Sequence, residues 1–310
     1  MAAITAKMVA DLRAQTGCGM MECKKALTAS NGDFEEAVKV LREKGLSVAA
    51  KKAGRIASEG IVDIMLSDDG KTAAMIEVNA ETDFVAKNEK FQTFVRGLLK
   101  TILANRPADI DALKALPYPD SDMTVEDKLK EMIFTIGENM NIRRFVIVDG
   151  ILSTYIHGKG TTGVIIKFDA DDSCVANPGF AEFAKNIALQ VAAMPVLYLN
   201  KESVPAADLE NEKQIQLTLM KNDEKNANKP EAILHKMLEG KMNKFYEKTC
   251  LAEQAYVKDD SISVAKYVQN TAKEFGGSIA LAGFWIYERG EGLEKKEDNF
   301  AEEIASLMKN

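Results

Sequence analysis

The sequence predicts an α+β fold: a three-helix module at the N-terminus, two repeated hairpin-plus-helix core subdomains, a helical hairpin arm and a C-terminal helix. Three observations predict it. Residues 5–45 hold three amphipathic runs separated by glycine-rich or polar breaks. Stretches starting at Gly60 and Gly150 repeat the order strand, glycine-containing turn, strand, helix, and such self-similarity marks a duplicated unit. Residues 206–222 and 230–247 read as two helices joined by a polar turn, the pattern of an antiparallel helical pair.

The elements follow in order. Thr5 is placed to cap TAKMVADLRAQT, in which Met8, Val9 and Leu12 share a face. TGCG breaks the chain at Gly17 and Gly19; MMECKKALTAS is the second helix, and SNGD ends it. Asp33 and Glu36 give a capping-box-like start to the third, and Gly45 stands where a C′ glycine belongs. The module thus spans 1–45, followed by a basic linker over 46–59 that carries Lys51, Lys52 and Arg55.

The first core subdomain is expected over 60–145. Asp69-Gly70 supports a hairpin turn. After the strand AAMIEVN, ETDFVAKNEKF opens a long helix, with apolar positions 91, 94, 95, 98, 99, 102 and 103 forming one stripe. Thr82 or Asp83 can cap it. Pro107, Pro117 and Pro119 mark loops, and TVEDKLKEMIFTIGENMNIRR reads as mainly helical. The second subdomain spans 146–290, with the arm at 205–247. Val85-Ala86 aligns with Val175-Ala176 at an offset of 90, and Phe91 and Phe94 with Phe180 and Phe183 after a one-residue shift. Leu209, Ile215 and Leu219 mark the apolar face of one arm helix, and Ile233, Leu234, Met237 and Leu238 that of the other. SVAKYVQNTAKEFGG is a helix closed by Gly276, SIALAGFWIYER a strand, and 291–310 a helical module with Asp298 near its N-cap.

Composition narrows the function. The formal net charge of -7 over 310 residues argues against direct nucleic-acid binding by the whole chain, since phosphate contact needs a basic face. The four cysteines show no C-x-x-C spacing and are too few for a disulfide framework, so reduced thiols in a cytoplasmic setting are expected. His157 and His235 lie far apart and offer no ordinary zinc ligand set. No run of 18 apolar residues occurs, so no membrane span is expected, and the first residues lack the apolar region of a secretory signal. GKGTTG, 158–163, matches G-x-G-x-x-G, but VIIKF follows where a nucleotide site needs a helix, so it reads as a hairpin turn. No G-x-S-x-G or H-E-x-x-H occurs. Neither enzyme activity nor a cofactor is expected.

Phe84 allows two readings. It lies seven residues before Phe91, near the same stripe, which suits a core residue. Lys87 and Asn88 interrupt that stripe, however, and the second repeat has Ser173-Cys174 at the matching place. The fold therefore does not demand an aromatic there, and an exposed contact is the alternative. The pattern alone leaves both open.

TGCGMMECKKAL, TDFVAKNEKF, IGENMNIRR, MLEGKMNKFYEKTCLAEQ and the late Gly290–Gly292 triplet GEG together resemble the signature segments of bacterial elongation factor Ts, in that family's order from one end of the chain to the other. The resemblance implies an N-terminal ubiquitin-associated-like domain, a two-part core and a helical hairpin. It implies nucleotide exchange on elongation factor Tu, in its GDP-bound and nucleotide-free states. Thr82, Asp83, Phe84 and Val85 match the segment that intrudes beside the partner's Mg2+ site. Arg13, Met20, Met21 and Lys24 match positions where the N-terminal module meets the GTPase domain, as does the terminal helix from Asp298. Ile136 and Gly137 match core positions near the intruding segment, and His157 matches a histidine of the second hairpin. One departure stands out: the family often has Arg two residues after the Phe of the late strand, whereas Phe284 is followed by Trp285 and Ile286, and Arg289 precedes GEG. A homodimer through the helical hairpin, or a two-plus-two complex with the partner, is left open. Two other readings compete: an interaction scaffold or holdase that binds without speeding nucleotide release, and an enzyme using Asp83 and His157, which no motif supports.

Overall fold

The computed structural model describes residues 4–223, 226 and 229–295. The helix expected from Asp298 lies outside the described residues, as does part of the polar turn between the arm helices.

The first three helices are α1 (Ala6–Thr16), α2 (Met20–Ala29) and α3 (Phe34–Lys52). Thr5 caps α1 by accepting the Met8 N–H on Oγ1 at 3.2 Å, and Asp33 caps α3 by accepting the Glu36 N–H at 2.9 Å. Leu12, Cys23, Leu27 and Leu41 fill the module's core. Gly45 does not end α3. It is buried mid-helix, and a Cβ there would meet the Phe134 side chain at 3.6 Å. Its smallness brings α3 against the helix that carries Phe134, and α3 runs on to Lys52, so the first half of the expected linker is helical.

The first core subdomain contains β1 (Glu59–Leu66), β2 (Thr72–Ala80), α4 (Asp83–Ala86), α5 (Glu89–Asn105), α6 (Ile110–Ala115), α7 (Val125–Ile136) and β3 (Met140–Asp149). Its antiparallel sheet has the order β1-β2-β3. The helix expected from Glu81 is two pieces, because Asn88 takes extended backbone and caps α5 by accepting the Lys90 N–H at 2.9 Å. The segment MNIRR is strand, not helix. Gly137 closes α7 with φ 88°, and the buried–exposed–buried sequence Met140, Asn141, Ile142 then has the period of a strand. Tyr118 folds back from the proline-marked loop and stacks on Phe94 with centroids 5.8 Å apart. A Cβ on Gly97 would lie 2.1 Å from its hydroxyl. Gly97→Ala should therefore displace the loop and destabilise the protein by about 1–3 kcal/mol in urea titration, the usual penalty for overpacking.

The second subdomain continues with β4 (Ile151–His157), β5 (Thr162–Ala170), α8 (Asp172–Val175), α9 (Phe180–Ala193), α10 (Ala206–Asn222), α11 (Glu231–Thr249), β6 (Ala255–Tyr256), β7 (Asp259–Ser263), α12 (Val264–Phe275) and β8 (Ile279–Glu288). Its main sheet has the order β4-β5-β8, and β6 pairs with β7. As read from the sequence, GKGTTG is the β4–β5 turn, and Gly276 closes α12. Both central strands shift register at points 90 residues apart, Glu77/Val78 and Lys167/Phe168. The two sheets pack together through Val62, Met75, Val148 and Ile165. A Cβ on Gly163 would be 2.5 Å from Val62 Cγ1. β2 is thus covered on one face by α5 and α7 and on the other by the second sheet, which explains its near-continuous apolar run.

The arm helices α10 and α11 run as expected, but their apolar faces are narrower. Ile215, Leu219 and Ile233 are exposed, whereas Met220 and Met242 are buried; two helices packed only on each other cover one stripe apiece. The arm's base is pinned by buried amides. Gln254 Nε2 donates to Pro195 O at 2.8 Å and Lys248 O at 3.1 Å, while its Oε1 accepts from Gln190 at 3.0 Å.

Candidate protein-docking site

Ala80 ends β2, and the chain leaves the sheet as Glu81-Thr82 before the single turn of α4. That turn has one inward and one outward side. Val85 and Ala86 are buried, while Phe84 is 78% exposed. The core reading of Phe84 is overturned; the stripe begins at Phe91, which is 0% exposed. Comparison with the second repeat gives the reason. α4 and α8 start at Asp83 and Asp172, so the offset here is 89 and not 90. Phe84 therefore matches exposed Ser173, and buried Val85 matches buried Cys174. The fold points this position outward in both repeats, and in the first it carries an aromatic ring.

Asp83 sits beside that ring. Its carboxylate accepts from Lys87 Nζ at 2.6 Å, and the same Nζ lies 5.8 Å from the Phe84 centroid. The Lys87 bond holds the Asp83 pKa below its ordinary value; desolvation opposes this, and the charges of Lys87 and Arg289 add to the lowering. The site thus presents an ionised carboxylate and a bare aromatic side by side.

Thr82 does not share that freedom. Both its N–H, at 3.0 Å, and its hydroxyl, at 2.7 Å, donate to Glu138. Glu138 follows Gly137, and Ile136 before it is half-buried against the first core. Ile136 and Gly137 thus lie directly before the residue that holds the turn.

Of the other expected site residues, His157 belongs to a turn packed on β1, the strand that pairs with β2. The β4–β5 turn packs on β1: Val62 N–H donates to Gly160 O at 2.8 Å, and a Cβ on Gly160 would be 2.9 Å from Ile61 Cβ. His157 opens this turn, exposed, with Nδ1 3.2 Å from the Tyr155 hydroxyl. Arg289 joins the cluster through its N–H to Thr161 O at 2.9 Å and its guanidinium to Glu59 at 2.9 Å. The displaced arginine thus ties the late strand to the start of β1. Arg13, Met20, Met21 and Lys24 are all exposed on the N-terminal module, with Met20 at 55% and Met21 at 61%. They lie on α1 and α2, in the module joined to the first subdomain where α3 packs on α7.

The residues that sequence reasoning missed are acidic. Glu77, fully buried on β2, accepts from Gly290 N–H at 2.8 Å, Arg143 at 2.9 Å, Arg144 at 2.7 Å and Asn79 at 3.1 Å. Arg144 reaches on to Glu291 at 3.0 Å and stacks over Tyr287 at 4.1 Å. A lone carboxylate inside AAMIEVN was the available signal, because a buried charge must be paired. Among the described residues, no cluster of three His, Cys, Asp or Glu side chains could hold a metal, and no helix is long and apolar enough to cross a membrane.

Residues 81–291 match the family model described as elongation factor TS. The chain is 46% identical to elongation factor Ts of Syntrophotalea carbinolica, covering 99% of both chains. It is 46% identical to that of Clostridium novyi over 98% of this chain and 99% of the relative, and 45% identical to that of Clostridium kluyveri over 97% of each. With the family match running from the link after β2 to just past β8 and these relatives aligned end to end, the chain belongs to the elongation factor Ts family of protein-biosynthesis factors.

Proposed function

We propose that this protein is a non-enzymatic guanine nucleotide exchange factor that binds elongation factor Tu carrying GDP and promotes GDP release by disturbing the partner's Mg2+ site. The observation that carries the reading is Phe84, 78% exposed beside an ionised Asp83 on a turn whose base is fixed. A large exposed ring on an anchored support suits insertion into a partner. Mg2+ neutralises bound phosphates, so a group that displaces it weakens nucleotide retention. By linkage, a factor that prefers the nucleotide-free partner must be weakened by nucleotide as much as it weakens nucleotide. The factor need not select GTP; nucleotide concentration decides what reloads.

In this reading Asp83 and Phe84 act directly, while Thr82 and Val85 hold them. Arg13, Met20, Met21 and Lys24 form a second contact on the GTPase domain, and His157 a third near the first. The test is release of a fluorescent GDP from purified elongation factor Tu, run beside a direct binding measurement. Binding with accelerated release supports exchange. Binding without acceleration leaves a scaffold and sinks the proposal.

A further inference from the structure

The link from central strand to helical turn is one residue longer in the first repeat. β2 and β5 end at Ala80 and Ala170, an offset of 90, yet α4 and α8 begin at Asp83 and Asp172, an offset of 89. The shorter link is tied by one residue, through its backbone N–H and its own carboxylate. Asp171 N–H donates to Ser278 O at 3.1 Å, and Asp171 Oδ2 accepts the Ser278 N–H at 2.7 Å. Ser278 is the residue before β8, the third strand of that sheet.

The longer link is tied to the start of its own third strand by side chains. Thr82 sends both its N–H and its hydroxyl to the two oxygens of Glu138. In return Glu81 Oε1 accepts the Asn139 N–H at 2.5 Å. Two neighbouring residues on each segment thus trade carboxylate bonds. The far side of the clamp is itself held: Asn139 Nδ2 donates to Arg55 O at 2.8 Å, and Lys52 Nζ bonds Gly137 O.

We propose that Glu138 is a positioning residue for nucleotide exchange: its carboxylate sets the direction in which Asp83 and Phe84 leave the body of the protein. The inference rests on reading those two residues as the projecting contact. A single helical turn cannot hold its own direction, because it fixes several dihedrals for one hydrogen bond. On its downstream side α4 is held by burial of Val85 and Ala86. On its upstream side both donors of Thr82 end on one carboxylate, and hydrogen bonds to an ionised acceptor are the stronger kind. A support that is ordered before docking saves the ordering cost at docking, and small misplacements of a reacting or intruding group carry large rate penalties.

The test is GDP release from elongation factor Tu across a range of factor concentrations, for wild type, Glu138→Ala, Glu138→Gln, Thr82→Val and Thr82→Ser, with a melting curve for each. Glu138→Ala should lower the maximal release rate by about tenfold, with the half-saturating concentration changed by less than about twofold, because the docking patches on the N-terminal module are untouched. Glu138→Gln and Thr82→Ser should recover most of the rate, and Thr82→Val should fall between. A folded Glu138→Ala with wild-type maximal rate overturns the inference, as does a variant that changes only the half-saturating concentration. If Glu138→Ala does not fold, Thr82→Val decides alone, and an unchanged maximal rate overturns the inference. Failure of wild type to accelerate release is a different result, which removes the exchange reading itself.

Discussion

Phe84→Ala should leave stability within about 0.5 kcal/mol of wild type while lowering the maximal rate of GDP release from elongation factor Tu at least about tenfold. The two halves come from one fact. A Phe in the core costs about 3–5 kcal/mol to truncate, whereas a side chain 78% exposed gives up little packing. Lys87 Nζ approaches its ring no closer than 5.8 Å from the centroid, a weak interaction. At an interface the same ring is the kind of aromatic anchor whose loss costs 2 kcal/mol or more, roughly thirtyfold. Urea midpoints and stopped-flow release traces measure the two quantities separately. A large drop in midpoint would show that Phe84 packs inward in solution.

Glu77→Ala should have the opposite signature, a large loss of stability from a residue that touches no partner. The Glu77 carboxylate has 0% exposure and binds two arginines, an amide and a backbone N–H. Removing one member of a buried ion pair leaves the remaining charge uncompensated, and costs about 3–5 kcal/mol. The loss should also loosen the two sheets, because Gly290 and Glu291 follow β8 of one and Arg143 and Arg144 lie on β3 of the other. Gly290 cannot be replaced to compensate: its φ is 70°, and a Cβ would lie 2.3 Å from Ser58 O. Burial pushes the Glu77 pKa up, but the bonds from Gly290, Asn79 and the two arginines outweigh it and hold the pKa below 4.5. Since the folded pKa is the lower one, stability from this group is fully present above 4.5 and is lost as pH falls through the folded value. Glu77→Gln should therefore flatten the acid side of the stability–pH curve, measured by urea midpoints from neutral pH downwards.

Local order was legible in the sequence wherever one residue controls it. Thr5, Asp33 and Gly276 act at helix ends as their chemistry dictates. The aromatic pairs were legible as core, since Phe91 and Phe94 at the start of α5 and Phe180 and Phe183 at the start of α9 are all buried. What failed did so where tertiary packing outvotes local signals. Gly45 looked like a helix stop because nothing local reveals that Phe134 presses on it. Asn88 broke an expected helix because its cap and the burial of Val85 turn the chain together. Phe84 was undecidable from periodicity, since its orientation depends on where α4 begins and so on the extra residue of the Glu81-Thr82 link. Glu77 and Glu138 stayed hidden because their partners are 66 and 56 residues away; separations of that size leave no local pattern.

The most direct test is stopped-flow release of a fluorescent GDP from elongation factor Tu, with saturating wild-type protein and without it, first in Mg2+ and then after chelation. If Asp83 and Phe84 act through the metal site, the protein accelerates release strongly in Mg2+ and several-fold less once the metal is gone, because chelation has already removed part of what the intrusion achieves. An acceleration of the same size in both conditions would place its action elsewhere on the partner and contradict the account.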